Sequence, residues 1–82
     1  MARVVLTTGI SNQFTGGETE FVIEANNVRR LMAALDEKFP GLKAHLEQET
    51  SIAIDGEVFP DAFLEPIEAD SEVFFLPKIG GG

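Results

Sequence analysis

The chain has 82 residues, 44% of them hydrophobic, no cysteine, and a formal net charge of −8 from 14 acidic and 6 basic side chains. That length supports one domain with a modest core and argues against a self-sufficient enzyme with a deep pocket of its own. The acidity argues against nucleic acid as a partner and would steer a basic protein towards the surface, while the missing cysteines exclude disulfides and thiolate chemistry.

Residues Arg3 to Thr8 alternate, with Val4, Leu6 and Thr8 on one face and Arg3, Val5 and Thr7 on the other, so the pattern predicts a strand. Met1-Ala2-Arg3 runs straight into it without the shape of a signal peptide. No apolar run approaches a membrane span, and the expectation is a cytoplasmic protein that binds no membrane. Gly9 to Gly17 reads as a polar connection with Phe14 as its one large apolar group. Gly16-Gly17 lacks the surroundings of a phosphate-binding loop and reads as a turn. Glu18 to Glu24 alternates again, with Phe21 and Ile23 inward and Glu20, Val22 and Glu24 outward. The two strands should form a hairpin with a long loop.

Asn26 and Asn27 are good helix N-caps. Val28, Leu31, Met32, Leu35 and Phe39 then make one apolar stripe, with Arg29, Arg30, Asp36, Glu37 and Lys38 facing away. Pro40 and Gly41 stop this helix. Leu42 and Leu46 predict one more helical turn, with His45 between them as a surface residue. Ser51 to Asp55 predicts a third strand carrying Ile52 and Ile54 on one face. Asp55-Gly56 is a two-residue hairpin turn leading into Glu57-Val58-Phe59, which Pro60 ends. Asp61 to Asp70 is irregular, with Phe63, Leu64 and Ile67 as anchors. The acidic residues Asp55, Glu57, Asp61, Glu65, Glu68, Asp70 and Glu72 lack calcium-loop spacing and read as a solvated face, so no metal site is expected.

Ser71 to Leu76 predicts the last strand. Val73 and Phe75 share one face, and Phe74 and Leu76 share the other. A sheet covered on one side should have a polar outer face. Phe74 and Leu76 therefore either form an exposed patch for a partner or, in the case of Phe74, fill the core under the Asp61–Asp70 loop.

Beyond Leu76 the chain reads Pro77-Lys78-Ile79-Gly80-Gly81-Gly82. At an average glycine usage of about 7%, three in a row at a given place is expected about three times in ten thousand. Glycine weakens folded elements, so such a run serves something other than the fold, unless it is simply a frayed end. It makes a thin thread, and without Cβ atoms the backbone can enter a channel that side chains would block. A terminal carboxylate is an anion at neutral pH, and six extended residues reach about 20 Å.

Two hairpins flanking one main helix, with first and last strands able to pair at the centre of a small mixed sheet, describe an α+β fold of the β-grasp, ubiquitin-like kind. Residues 1–76 would form that domain and 77–82 a flexible tail. The sequence resembles the MoaD/ThiS family of sulfur-carrier proteins, which includes the small subunit of molybdopterin synthase. The resemblance rests on Val28-Arg29-Arg30-Leu31 leading to Phe39-Pro40-Gly41-Leu42, on Ile54-Asp55-Gly56-Glu57, and on Asp70-Ser71-Glu72-Val73-Phe74-Phe75-Leu76-Pro77 running to Gly81-Gly82. Lys78 stands where many members have proline or a small residue, and Gly80 lengthens the usual pair to three. Thr15-Gly16-Gly17 looks more like the branch serving cysteine synthesis.

The resemblance implies that the Gly82 carboxylate is the reacting group. A ubiquitin-activating-type adenylyltransferase would adenylate it with ATP, and a sulfur donor would convert it to a thiocarboxylate. A synthase, such as a molybdopterin synthase large subunit, would accept the sulfur for a pterin, cysteine or thiazole precursor. Gly81, Gly80, Ile79, Lys78, Pro77, Leu76 and Phe74 would contact the partners, and the chain would bind no cofactor itself. Two rivals stay open: a ubiquitin-like modifier conjugated to lysine through Gly82, and an interaction module with no chemistry.

Overall fold

The computed structural model describes residues 1–59 and 65–77. In chain order it contains β1 (Ala2–Val5), α1 (Thr8–Phe14), β2 (Glu20–Ile23), α2 (Val28–Lys38), α3 (Leu42–Glu49), β3 (Thr50–Ile54), β4 (Glu57–Phe59) and β5 (Glu72–Pro77). The five strands form one sheet in the order β2-β1-β5-β3-β4. β1 and β5 run parallel at its centre, and every other pairing is antiparallel. This is the β-grasp arrangement expected from the chain order.

Register places the core on one face of the sheet. Val4 stands opposite Phe21 on one side and Val73 on the other, and Val73 in turn stands opposite Ile54. Phe75 stands opposite Ile52 one step along. Directly paired residues point to the same face, so these side chains form one apolar surface. They cluster with Val28, Leu31, Met32 and Leu35 of α2 and Leu42 and Leu46 of α3. The stripe on α2 thus meets the sheet as its spacing requires. Asn27 begins this helix by accepting a hydrogen bond from the Arg30 N–H at 2.8 Å. Phe39 ends it with a backbone outside the helical region (φ −132°, ψ 87°), as a residue before proline should. Its ring meets Phe21 edge-on at 5.4 Å.

Three sequence expectations are corrected. The first strand ends at Val5, and the connection expected to be irregular contains α1. Thr7 leaves the strand and caps that helix, its hydroxyl accepting from the Ile10 N–H at 3.3 Å. Ile10 and Ser11 are buried beneath it. The turn expected at Leu42–Leu46 is instead the two-turn helix α3. His45 is half-buried, with its ring 5.1 Å from that of Phe14, so it joins α1 to α3. Phe63 and Leu64 lie outside the described residues. Ile67, the other expected anchor, is 5% exposed, and its N–H donates to Asn26 O at 3.0 Å.

Asp55 also does more than decorate an acidic face. The Asp55-Gly56 turn has positive φ at both residues, 51° and 87°, as the tightest hairpins require. The Asp55 carboxylate accepts from Ser71 Oγ at 3.0 Å and from the Glu72 N–H at 2.9 Å. Ser71 is buried and its oxygen accepts in turn from the Glu68 N–H at 2.9 Å. One side chain therefore ties the β3–β4 turn to the beginning of β5. Asp55→Ala should lose about 1–3 kcal/mol, because buried Ser71 loses its acceptor and alanine tolerates the left-handed conformation poorly. Asp55→Asn keeps an acceptor oxygen and tolerates positive φ, so it should recover most of that loss. Urea denaturation of the two variants checks the difference.

Candidate functional site

Strand β5 carries the two faces that matter. Its alternation buries Val73 and Phe75 in the core and sends Phe74 and Leu76 to the opposite side. Phe74 stands opposite Val5 on β1 and Ala53 on β3, and Ala53 stands opposite Val58 on β4. Leu76 follows beside Ser51. Val5, Phe74, Ala53 and Val58 thus form an apolar row across four strands, with Leu76 set towards the end of β5. Val58 is 56% exposed and Leu76 37%. Phe74 is half-buried and alternates with the core residues Val73 and Phe75, while residues 61–64 of the loop that could cover it lie outside the described residues. Phe74 belongs to the outer face.

The patch is bordered on one side by charge. Arg3 donates to Glu20 from Nε at 3.0 Å and to Glu72 from Nη1 at 2.8 Å. Glu20, and secondarily Glu72, raise the pKa of the arginine above its ordinary value. The trio is exposed, so it adds little to stability. Its effect is to hold two carboxylates in fixed positions beside the apolar row, where Arg3 neutralises only part of their charge.

Pro77 ends β5, paired with Thr50. Residues Lys78, Ile79, Gly80, Gly81 and Gly82, which sequence reading assigned to the reacting end and its contacts, lie outside the described residues. Among the described residues, no three His, Asp or Glu side chains converge in a way that could hold a metal ion. A concavity of about 410 Å³ lies between Met1, Glu24, Arg30 and Ile67. It sits at the far end of the sheet from Pro77, because Met1 adjoins Ala69 before β5 begins. Sequence reasoning found Phe74 and Leu76 but not Val5, Ala53 and Val58, because only the register brings these five residues together.

A β-grasp body with an apolar sheet face, from which the last strand leads into a glycine run, is built like ubiquitin. The sequence profile described as the ThiS family matches residues 5–82, and the chain belongs to that family. It is a sulfur carrier of the ThiS/MoaD type. No curated protein sequence matches it.

Solved structures agree on the fold. The BexX/CysO complex from Amycolatopsis orientalis contains a chain with a TM-score of 0.85 and 18% identity, with both chains covered in full. CysO from Mycobacterium tuberculosis has a TM-score of 0.84 at 17% identity, covering 96% of this chain and 100% of that one. The complex of subunits 1 and 2 of molybdopterin-converting factor from Helicobacter pylori gives a TM-score of 0.70 at 30% identity. It covers 99% of this chain and 97% of that one. Among the described residues, no helix is long and apolar enough to cross a membrane.

Proposed function

We propose that this protein carries sulfur as a thiocarboxylate on Gly82. An activating partner binds ATP, and a Gly82 carboxylate oxygen attacks the α-phosphorus, releasing pyrophosphate and leaving an acyl-adenylate. A sulfur donor then attacks the acyl carbon and AMP departs. The sulfur passes to a substrate held by a second partner, and water returns the carboxylate. The described residues supply no acid, base or metal ligand to these steps. Their part is to present the tail and to dock.

The observation that carries this reading is the span of the family match, which runs through Gly82. The glycine run is thereby part of the family's pattern, and a thread without side chains suits passage into another protein's active site. The apolar row and Leu76 supply a docking face continuous with the foot of that thread, and an apolar patch rimmed by charge is the form an interaction site takes. Both the BexX/CysO and the molybdopterin-converting factor structures are of complexes, which supports work with a protein partner. The relative at 30% identity favours a pterin precursor as the sulfur acceptor, because the CysO structures, at 17–18%, speak for the fold alone.

Intact-mass analysis of the protein isolated from its native host tests the reading. A fraction with one oxygen replaced by sulfur at the last residue is the expected result. Isopeptide-linked species in its place would assign the chain to the modifiers. Neither product, together with full function after the tail is trimmed, would leave only an interaction module. Reconstitution with a molybdopterin synthase large subunit then tests the pterin branch, and sulfur transfer only to a cysteine or thiazole synthase would overturn it.

A further inference from the structure

We propose that the groove between α1 and α3 at the foot of the tail receives a lysine or arginine side chain of the activating enzyme. This rests on the sulfur-carrier reading above. The groove has a volume of about 340 Å³ and is lined by Thr7, Gln13, His45, Glu49 and Pro77, among others. It lies on the helical side of the sheet, whereas the apolar row lies on the outer side. Leu76 and Pro77 are neighbours on β5 and so point opposite ways. A protein that swallows the tail must pass both.

The groove's lining mixes polar groups with Gly9, Ile10 and Pro77, and Glu49 is its one carboxylate. Glu49 is the last residue of α3, where the negative end of the helix dipole lies. A cation there would be favourable, yet the last turn contains no basic residue. Glu47, in the same turn, at least approaches Lys43 at 4.0 Å. Glu49 has no cationic partner among the described residues. A carboxylate set against the dipole without a partner is a local choice that the fold does not need, and such choices concentrate where a protein works on something else.

The chemistry of the partner supplies the complement. An enzyme that brings ATP to the tip of the tail must hold a triphosphate, and it does so with lysine, arginine and bound cations. The approach to that site is therefore electropositive. Glu49, at the foot of the tail, meets the rim of this approach and adds attraction and register to the contact made by the apolar row.

Pyrophosphate exchange with the purified activating enzyme of the native host provides the test. Glu49→Lys should raise the KM for the carrier about tenfold at low salt with kcat unchanged. The difference should shrink as salt rises from about 50 to about 500 mM. The same variant should melt at the wild-type temperature or above it, because it places a cation at the helix C-terminus. Lower affinity with undiminished stability is a signature that misfolding cannot produce. Glu47→Lys makes the same change in net charge outside the groove and should move KM much less. Equal effects of the two variants would show that overall charge is responsible and overturn the groove assignment, as would a Glu49→Lys KM within twofold of wild type. Strong non-additivity between Glu49→Lys and Lys78→Ala with no partner present would place the chain's own lysine in the groove and overturn the partner assignment. If the wild type supports no exchange at all, the sulfur-carrier reading fails, and this inference with it.

Discussion

Deletion of Gly82, or extension of the chain by a single residue beyond it, is expected to abolish sulfur transfer while leaving the folded body unchanged. Among the described residues the core cluster runs from Ala2 to Phe75, and β5 ends at Pro77. A glycine has no side chain to bury, so the change in unfolding free energy should stay within about 0.5 kcal/mol. Chemistry should respond without gradation. Deletion moves the carboxylate back by one residue, about 3.5 Å along an extended chain, and a shift far smaller than that costs orders of magnitude in a preorganised site. Extension removes the Gly82 carboxylate by turning it into an amide. Thermal melts and mass analysis of the carrier, after incubation with the activating enzyme, ATP and a sulfur donor, check both halves. Normal thiocarboxylate formation on an extended, unprocessed chain would refute the assignment of Gly82.

The elements with a clear period are legible in the sequence alone. The α2 stripe, the alternation through Phe21 and Ile23, and the Asp55-Gly56 turn each rest on contacts local in sequence or on a strong positional preference. The helix α1 was hidden because it is seven residues long and offers only Ile10 and Phe14 at helical spacing, too few to make a stripe. Its signal was chemical instead: Thr7 stands three residues before Ile10, whose N–H it caps. The latch from Asp55 to Ser71 and Glu72 spans 16 and 17 residues, and no local pattern announces such a pairing. The site divides in the same way. Strand alternation placed Phe74 and Leu76 on the outer face, but their companions Val5, Ala53 and Val58 come from three other strands. Only the register of those strands could collect them. The two-sided hydrophobicity of β5 was the one early sign that such companions had to exist.

That two-sidedness leads to the sharpest contrast available within one strand. Phe75→Ala should remove a large share of the stability, and Leu76→Glu almost none, although the residues are adjacent. Phe75 is 1% exposed and stands opposite Ile52 inside the core. Truncating a buried phenylalanine costs about 3–5 kcal/mol. A domain of this size has about 4–12 kcal/mol in total, so Phe75→Ala should lose from about a quarter to all of it. Leu76 is 37% exposed on the outer face beside Ser51. A carboxylate there stays in water and should change stability by about 0.5 kcal/mol or less. Docking should reverse the order of severity. Leu76 sits where the apolar row meets the foot of the tail, so a partner that covers both must bury it. Glutamate would take an unpaired charge into that contact and add to the acidity of Glu20 and Glu72 nearby. A loss of 2 kcal/mol or more, the scale of an interface hot spot, corresponds to about 30-fold in affinity. Urea denaturation and titration against the activating enzyme separate the two effects. Unfolding of Leu76→Glu would put that side chain in the core and remove the outer face from the docking surface. Wild-type affinity in a folded Leu76→Glu would leave the row on the sheet without a partner at this stage of the cycle.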